Sequence, residues 1–281
     1  MIKNYIKIAW RNLWKSKGYS FINISGLAIG IAASLIILLF VFYERSFDNF
    51  HSKNIYRLNE VQKFEGMLSS QKVALSMFPM GPTLKSEFPE IKNFTRLSWR
   101  QKYPLTYGEK QVYFPQMLFV DSTFLQLFDF KLVKGNPATM LQKPNSVVLT
   151  KSRAEKMFGK EEALGKTLTH YAGDTTSFVV TGILEDVPQN SQIQFDGLFS
   201  FSTIYQPNWK DNWGGNWLNT YVELSPGTDV AALEKQFPGY LKKYMSPGGR
   251  LEILRIVPLA VAGCTCQCHR YRIGLCQLPE I

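Results

Sequence analysis

Residues 19–43, YSFINISGLAIGIAASLIILLFVFY, are 25 consecutive positions without Asp, Glu, Lys, Arg or His. A helix rises about 1.5 Å per residue, so this run is long enough to cross a hydrocarbon core of about 30 Å. Aromatic residues flank both ends, as they do at membrane interfaces. A core helix of a soluble protein rarely stays uncharged for so long, and a cleaved signal peptide has a shorter apolar region. The stretch therefore predicts a transmembrane helix.

The segment before it, residues 2–15, predicts an amphipathic helix. Apolar residues recur at helical spacing, and a lysine or arginine stands at every fourth position from 3 to 15. A cationic amphipathic helix beside a span is typical of a helix that lies against membrane lipid; an ordinary exposed helix is the alternative. Because basic residues mark the cytoplasmic side, residues 1–18 are predicted to be cytoplasmic. Everything after about position 46 is then outside a bacterial inner membrane.

The charge balance gives little support to a nucleic-acid partner. The chain of 281 residues has a formal net charge of +10, and its first 18 residues supply five of these charges without any acid. Beyond them, lysines are scattered among acidic residues, which is the pattern of a solvated surface. No basic run with interleaved aromatic residues follows the amino-terminal segment, so no nucleic-acid partner is expected.

Residues 46–249 predict one large extracytoplasmic region of the α+β class, because short strands and helices follow one another in mixed order. Strands are predicted at 55–61, 94–99, 104–107, 111–114, 146–150, 178–187 and 221–224. Helices are predicted at 74–88, 121–128, 153–158 and 230–244. The fold class is therefore an amphipathic helix and one transmembrane helix, followed by a mixed α+β domain.

One segment resembles a phosphate-binding loop. Residues 159–167, GKEEALGKT, end in GKT, but five residues instead of four separate the first glycine from the GK pair. A helix is predicted before the segment and a strand after it, which is the reverse of the order that such a loop needs. The pattern favours a turn that closes a helix.

No arrangement of side chains indicates catalysis or metal binding. The histidines His51, His170 and His269 are far apart, and none stands beside a carboxylate cluster at ligand spacing, so surface positions are favoured. No G-x-S-x-G elbow occurs. We therefore predict no catalytic, cofactor-binding or metal-ligating residue and no cofactor, and we do not expect an enzyme.

Three tryptophans stand four positions apart among Asn and Gly residues: Trp209, Trp213 and Trp217. They could line a binding groove. Packing of a loop onto the domain is favoured, because a tryptophan side chain buries a large area.

Five segments in order resemble the amino-terminal half of a MacB/FtsX-type ABC-transporter permease with a MacB-like periplasmic core domain. They are KIAWRNLWKSKGYSFINISGLAIGIA (7–32), FHSKNIYRLNE (50–60), FVDSTFLQLFDFKLVKGNP (119–137), SVVLTKSRAEKMFGKEEALGKTL (146–168) and FVVTGILEDVPQNSQIQFDGLFSF (178–201). Several segments in a fixed order are more specific than any one of them.

The resemblance implies a membrane subunit of an export or mechanotransmission system. Such permeases have four membrane helices, and a periplasmic domain with a porter-like part and a mostly β part lies between the first two. The implied partners are a separate ABC ATPase subunit, a second permease in a homodimer or heterodimer, membrane lipid and, as a further candidate, a periplasmic adaptor. A single-span, membrane-anchored sensor or binding protein is the alternative, and an adjacent ATPase gene would distinguish the two.

Residues 250–281 depart from this pattern. They contain no lysine and all four cysteines of the chain, three of them in CTCQCH at 264–269. A metal site is one interpretation, but alternate residues of a strand point to opposite faces. An out-of-frame tail on a truncated copy is favoured, and it is expected to add nothing to the fold. The predicted divisions are 1–18, 19–43, 46–249 and 250–281.

Overall fold

The computed structural model describes residues 2–62, 71–172, 174–245 and 251–259. The chain forms two units, one up to Ser46 and one from Phe47 onward. We call them the helical unit and the large unit.

The helical unit consists of α1 (Ile2–Lys15) and α2 (Lys17–Arg45). Within the described ranges, α2 is the one helix long and apolar enough to cross a membrane, with a mean hydropathy of 2.7 over its best window. None of that window is buried by protein, which agrees with the predicted transmembrane helix. Both predicted helices are confirmed, and α2 extends two residues beyond the predicted span at each end.

In its described ranges, the large unit combines thirteen strands with five short α-helices. The strands are β1 (Ile55–Gln62), β2 (Gln71–Val73), β3 (Ser76–Met77), β4 (Ile91–Leu97), β5 (Gln101–Tyr107), β6 (Lys110–Val120), β7 (Leu132–Gly135), β8 (Ser146–Thr150), β9 (Thr167–Ala172), β10 (Asp174–Leu184), β11 (Gly197–Ser200), β12 (Asn216–Leu224) and β13 (Leu251–Pro258). The helices are α3 (Met80–Glu87), α4 (Phe124–Leu127), α5 (Lys151–Phe158), α6 (Val230–Glu234) and α7 (Phe237–Tyr244), with 3₁₀ turns at Phe201–Thr203 and Pro207–Asp211. The predicted mixed α+β class is confirmed.

Six of the strands close into a barrel. Going round the ring, β5 pairs with β6, β6 with β11, β11 with β8, β8 with β10, β10 with β9, and β9 again with β5. Alternate residues point into the bore, where Phe114, Phe178 and Phe199 are almost completely buried. Closure leaves no free sheet edge between these strands.

The other main strands form a four-stranded antiparallel sheet in the order β4, β12, β1, β13. The chain runs β1–α3–β4 and, after the barrel, β12–α6–α7–β13, which is the ferredoxin-like β-α-β-β-α-β order. The helices cover one face around Leu58, Leu84, Val222 and Phe237. The barrel is therefore an insertion between β4 and β12, and we call the remainder the porter-like part.

The strand β13 corrects the expectation that the chain from position 250 adds nothing to the fold. It pairs along β1 from Tyr56 with Pro258 to Gln62 with Leu251, and it is the fourth strand of the porter-like part. Leu254, Ile256 and Leu259 are 2–4% exposed. The segment is too short for a membrane span, but the alternation of Leu254 and Ile256 with exposed Arg255 is the pattern of a strand with one buried face. Residues 260–281, with all four cysteines, lie outside the described residues, and the out-of-frame tail stays a prediction there.

Prolines explain two smaller differences between the predicted helices and the helices of the structure. The helix predicted at 74–88 begins only at Met80, immediately after Pro79, and two short strands precede it. The helix predicted at 230–244 is divided into α6 and α7, and Pro238 occupies the first turn of α7, where its missing N–H is tolerated.

Candidate functional site

The segment that links α2 to β1 is fixed to the large unit by Asp48. Asp48 adopts a left-handed conformation (φ 54°), which Asp tolerates better than most residues, and it is 3% exposed. Its backbone N–H donates to the carbonyl of Asn190 at 2.9 Å. Its carboxylate accepts from the hydroxyl of Ser191 at 2.9 Å and from the backbone N–H of Gln192 at 3.2 Å. Burial raises the pKa of Asp48, although these hydrogen bonds oppose the effect.

His51 is buried three residues later, with 2% of its side chain exposed. Its Nδ1 accepts the backbone N–H of Asp129 at 3.0 Å, so the ring proton is on Nε2. Nε2 lies 3.9 Å from Oδ1 of Asp48. The rings of Phe50, Phe128 and Phe130 surround the imidazole at centroid distances of 4.0–5.4 Å. Burial lowers the pKa of His51 to about 4, and the charge of Asp129 opposes this only in part.

Asp129 also holds the next residue of the linking segment. Its Oδ2 accepts from the backbone N–H of Ser52 at 2.6 Å and from the Ser52 hydroxyl at 2.8 Å. Partial burial acts to raise the pKa of Asp129, but the two hydrogen bonds from Ser52 and the charges of Lys53 and His51 outweigh it, so the pKa lies below its usual value. The ionised carboxylate therefore secures Ser52 at neutral pH.

The loop that binds Asp48 also holds the end of β13. The side-chain amide of Gln192 donates to the carbonyl of Leu259 at 2.7 Å. Leu259 packs in the same buried cluster as Ile193 and Phe195. One short loop thus fastens both the first residues of the large unit and its last described residue. We call this site the junction and define it as residues 47–52, 128–130, 188–195 and Leu259.

The junction brings together three of the segments that carry the family resemblance, those at 50–60, 119–137 and 178–201. The hydrogen bonds between its segments join residues 67 to 144 positions apart, so spacing along the chain could not reveal it. The prediction of a surface position for His51 is wrong, because the aromatic rings and the Asp129 amide enclose it. The sequence contains one signal that could have indicated these segments, because a Phe residue followed directly by Asp occurs three times. These pairs are Phe47 with Asp48, Phe128 with Asp129, and Phe195 with Asp196.

The other histidines and the glycine-rich segment take no part in the junction. His170 is half-buried in the barrel and its Nδ1 lies 2.8 Å from the carbonyl of Pro104, and His269 lies outside the described residues. Segment 159–167 is the turn between α5 and β9, where Lys166 pairs with Glu161 and lies over the ring of Tyr107. The interpretation of this segment as a turn is confirmed.

The three tryptophans pack a loop, as predicted. Trp209 and Trp217 lie 5.0 Å apart and contact the barrel core, whereas Trp213 stacks on Tyr244 of α7 at 4.7 Å. The loop between β11 and β12 therefore bridges the barrel and the porter-like part. Among the described residues, no group of three or more His, Cys, Asp or Glu side chains could hold a metal ion.

The buried histidine makes the stability of the large unit depend on pH. The pKa of His51 is about 4 in the folded state and about 6.5 in an unfolded chain, so the unfolded state binds more protons between these values. The stabilisation is complete above about pH 6.5 and is lost as the pH falls to about 4, by about 3 kcal/mol at most. The raised pKa of Asp48 acts in the opposite direction.

We therefore expect the full-length protein in detergent to melt several degrees lower at pH 5 than at pH 7. His51→Gln keeps an acceptor for the Asp129 N–H and should reduce this difference clearly. His170→Gln is the matched control and should keep it. An equal pH dependence in all three proteins would exclude His51 as its source.

The geometry agrees with known structures. The sequence model of the MacB-like periplasmic core domain family matches residues 20–240. A crystallised domain from Porphyromonas gingivalis, assigned to a permease protein, has a TM-score of 0.66 and 22% identity, and the match covers 74% of this chain and 91% of that one. No curated protein sequence matches the chain significantly.

Two further structures share the fold. The periplasmic region of MacB from Actinobacillus actinomycetemcomitans has a TM-score of 0.52 and 20% identity, with 76% of this chain and 93% of that chain covered. The extracellular domain of YknZ, a noncanonical ABC-type transporter from Gram-positive bacteria, has a TM-score of 0.52 and 17% identity, with 73% and 100% covered. The family match includes most of α2 and nearly all of the described large unit. The chain therefore belongs to the MacB-like periplasmic core domain family of ABC-transporter permease components, as a membrane-anchored protein with an extracytoplasmic domain.

Proposed function

We propose that this chain acts as the permease subunit of a system that couples ATP hydrolysis by a separate ABC ATPase to movement outside the bacterial inner membrane. The permease would act as a homodimer or heterodimer in export or mechanotransmission. The lysines and arginine of α1, against few charges directly after α2, support a cytoplasmic amino terminus. Residues from Phe47 onward would then lie outside the membrane.

The junction is the observation that carries this proposal. A Gly- or Ser-rich linker behaves as a flexible coil, so it can tether a binding domain to a membrane without transmitting movement. Here Asp48, His51 and Ser52 are fixed by buried or short hydrogen bonds within seven residues of the end of α2. Such a connection can pass a displacement of the preceding helix to the domain instead of absorbing it. The loop that receives it also holds Leu259.

The experiment uses the tagged full-length permease, purified from its native membrane together with any ATPase that binds it. We expect vanadate-sensitive ATP hydrolysis in the purified complex. A fluorophore at Lys143, which is exposed beside the barrel, should change its emission when ATP is trapped with vanadate. The double variant Ser191→Ala, Gln192→Ala removes a hydroxyl and an amide from the junction and should keep ATP hydrolysis but lose most of the fluorescence response.

Glu162→Ala is the matched control, because Glu162 pairs with Lys134 on the surface and neither residue belongs to the junction, so its loss should leave the response intact. A complex without ATPase activity would favour the single-span sensor. Hydrolysis with an unchanged response in the double variant would show that the junction does not transmit the movement.

A further inference from the structure

One mouth of the barrel opens into a cavity of about 550 Å³. Its wall is built by all six strands or by the residues that continue them. They are Tyr103 of β5, Phe119 of β6, His170 of β9, Thr176 of β10, Asn145 directly before β8, and Thr203 beyond β11. We call this cavity the cup. Its volume is within the usual range of small-ligand sites, which often occupy the mouths of β-barrels.

The floor of the cup is aromatic and closed. Phe178 and Phe119 line it, and both contact the ring of Phe199 in the bore, at 4.2 Å and 5.0 Å between centroids. Tyr103 meets Phe199 edge-on at 5.0 Å and lies 4.6 Å from the ring of His170. Phe119 and Phe178 are only 3% and 2% exposed, so they close the cup from below. The C–H face of a ligand ring can pack instead on the partly exposed side chains of Tyr103 and Ile204, which also line the cup.

The rim of the cup is polar and carries no charged side chain among its lining residues. Thr176 and Thr203 contribute hydroxyls, and Asn145 contributes an amide. These groups donate and accept hydrogen bonds without a net charge. Thr175 and Ser177 alternate with Thr176 along β10, so their side chains point to the outer face of the barrel. An ionic ligand would lose its hydration in the cup without gaining an opposite charge. A wholly apolar ligand would leave the polar groups of the rim without hydrogen-bond partners.

Two groups on the wall are held ready for hydrogen bonding. Nδ1 of His170 lies 2.8 Å from the carbonyl of Pro104, which can only accept, so the neutral ring keeps its proton on Nδ1 and leaves Nε2 as an acceptor. The hydroxyl of Tyr103 has no hydrogen-bond partner among the described residues, and burial raises the pKa of Tyr103. The hydroxyl therefore stays protonated and can donate to a ligand.

We propose that the cup binds a neutral sugar ring, the chemistry that combines an apolar C–H face with several hydroxyls. The ring would pack against the partly exposed side chains of Tyr103 and Ile204, and its hydroxyls would pair with the rim, Nε2 of His170 and the hydroxyl of Tyr103. This binding site goes beyond the proposed coupling to an ATPase and does not depend on it, since every lining residue belongs to the barrel and the segments next to it.

The test uses the full-length protein in lipid nanodiscs and saturation-transfer NMR with glucose, galactose and N-acetylglucosamine, alongside anionic glucuronic acid. We expect at least one neutral sugar to bind and the acid to bind less well. Tyr103→Phe and Thr176→Val each remove one hydroxyl and keep the shape, so each should weaken binding about two- to tenfold. Tyr171→Phe removes an exposed hydroxyl from β9 and should change nothing.

Melting curves should show that all three variants fold like the parent protein. The proposal fails if no neutral sugar binds, if glucuronic acid binds better than its neutral counterparts, or if Tyr103→Phe and Thr176→Val bind as the parent does. Binding that survives both cup variants would place the sugar elsewhere on the protein.

Discussion

A chain that ends at Gly249 is expected to lose the fold of the large unit, whereas a chain that ends at Leu259 is expected to keep it. The difference between the two is β13, which supplies the buried side chains Leu254, Ile256 and Leu259. Full burial of such a side chain contributes about 1.5–3 kcal/mol, so three contribute roughly 5–9 kcal/mol. That is comparable to the whole stability of a typical domain, about 5–15 kcal/mol.

Both truncations can be made in the membrane-anchored protein by stop codons at positions 250 and 260. Tryptophan fluorescence during heating and resistance to protease are the measurements. Ile256→Asp should reproduce much of the loss within the full chain, and Arg255→Asp is the matched control, since Arg255 is exposed on the same strand. If the shorter chain melts with the same midpoint as the longer one, β13 does not stabilise the fold.

Local sequence patterns were sufficient for the helices of the amino-terminal region but not for β13. Local periodicity predicts the membrane helix, the amphipathic helix and most strands, because it depends only on residues that are close together along the chain. The short run around Leu254 and Ile256 carries the same kind of signal, but it is only a few residues long and becomes meaningful only once β1 is available as its partner. Residues 250–281 were set apart from the rest of the chain by their amino-acid composition alone. Composition does not show which strands pair with each other.

The junction could not be predicted from the sequence, for a different reason. The hydrogen bonds that hold its segments together join residues that are distant along the chain, such as Ser52 with Asp129 and Asp48 with Ser191. Hydrogen bonds of this kind depend on the closure of the barrel and on the order of the porter-like strands, neither of which local patterns specify. The family resemblance indicated the right segments, but it did not indicate that they meet.

Asp121→Ala is expected to destabilise the large unit strongly, because it breaks an enclosed ion pair. The carboxylate of Asp121 binds Arg96 through two side-chain hydrogen bonds, both 2.8 Å long. The two side chains are only 14% and 10% exposed. The Arg96 guanidinium also donates to the carbonyl of Phe78 at 3.0 Å and lies over its ring at 4.0 Å. Because Arg96 is on β4 and Asp121 directly follows β6, the pair joins the porter-like part to the barrel.

Removal of Asp121 leaves the charge of Arg96 enclosed without a counter-ion, and breaking a buried pair in this way typically costs about 3–5 kcal/mol. Urea unfolding of the full-length protein in detergent measures the loss. Glu162→Ala breaks the exposed pair with Lys134, which solvent screens, and should leave the urea midpoint nearly unchanged. The double variant Arg96→Met, Asp121→Leu removes both charges and should recover a large part of the stability, because the uncompensated charge causes most of the loss. A double variant less stable than Asp121→Ala, or an Asp121→Ala loss no greater than that of Glu162→Ala, would show that the pair does not hold the two parts together.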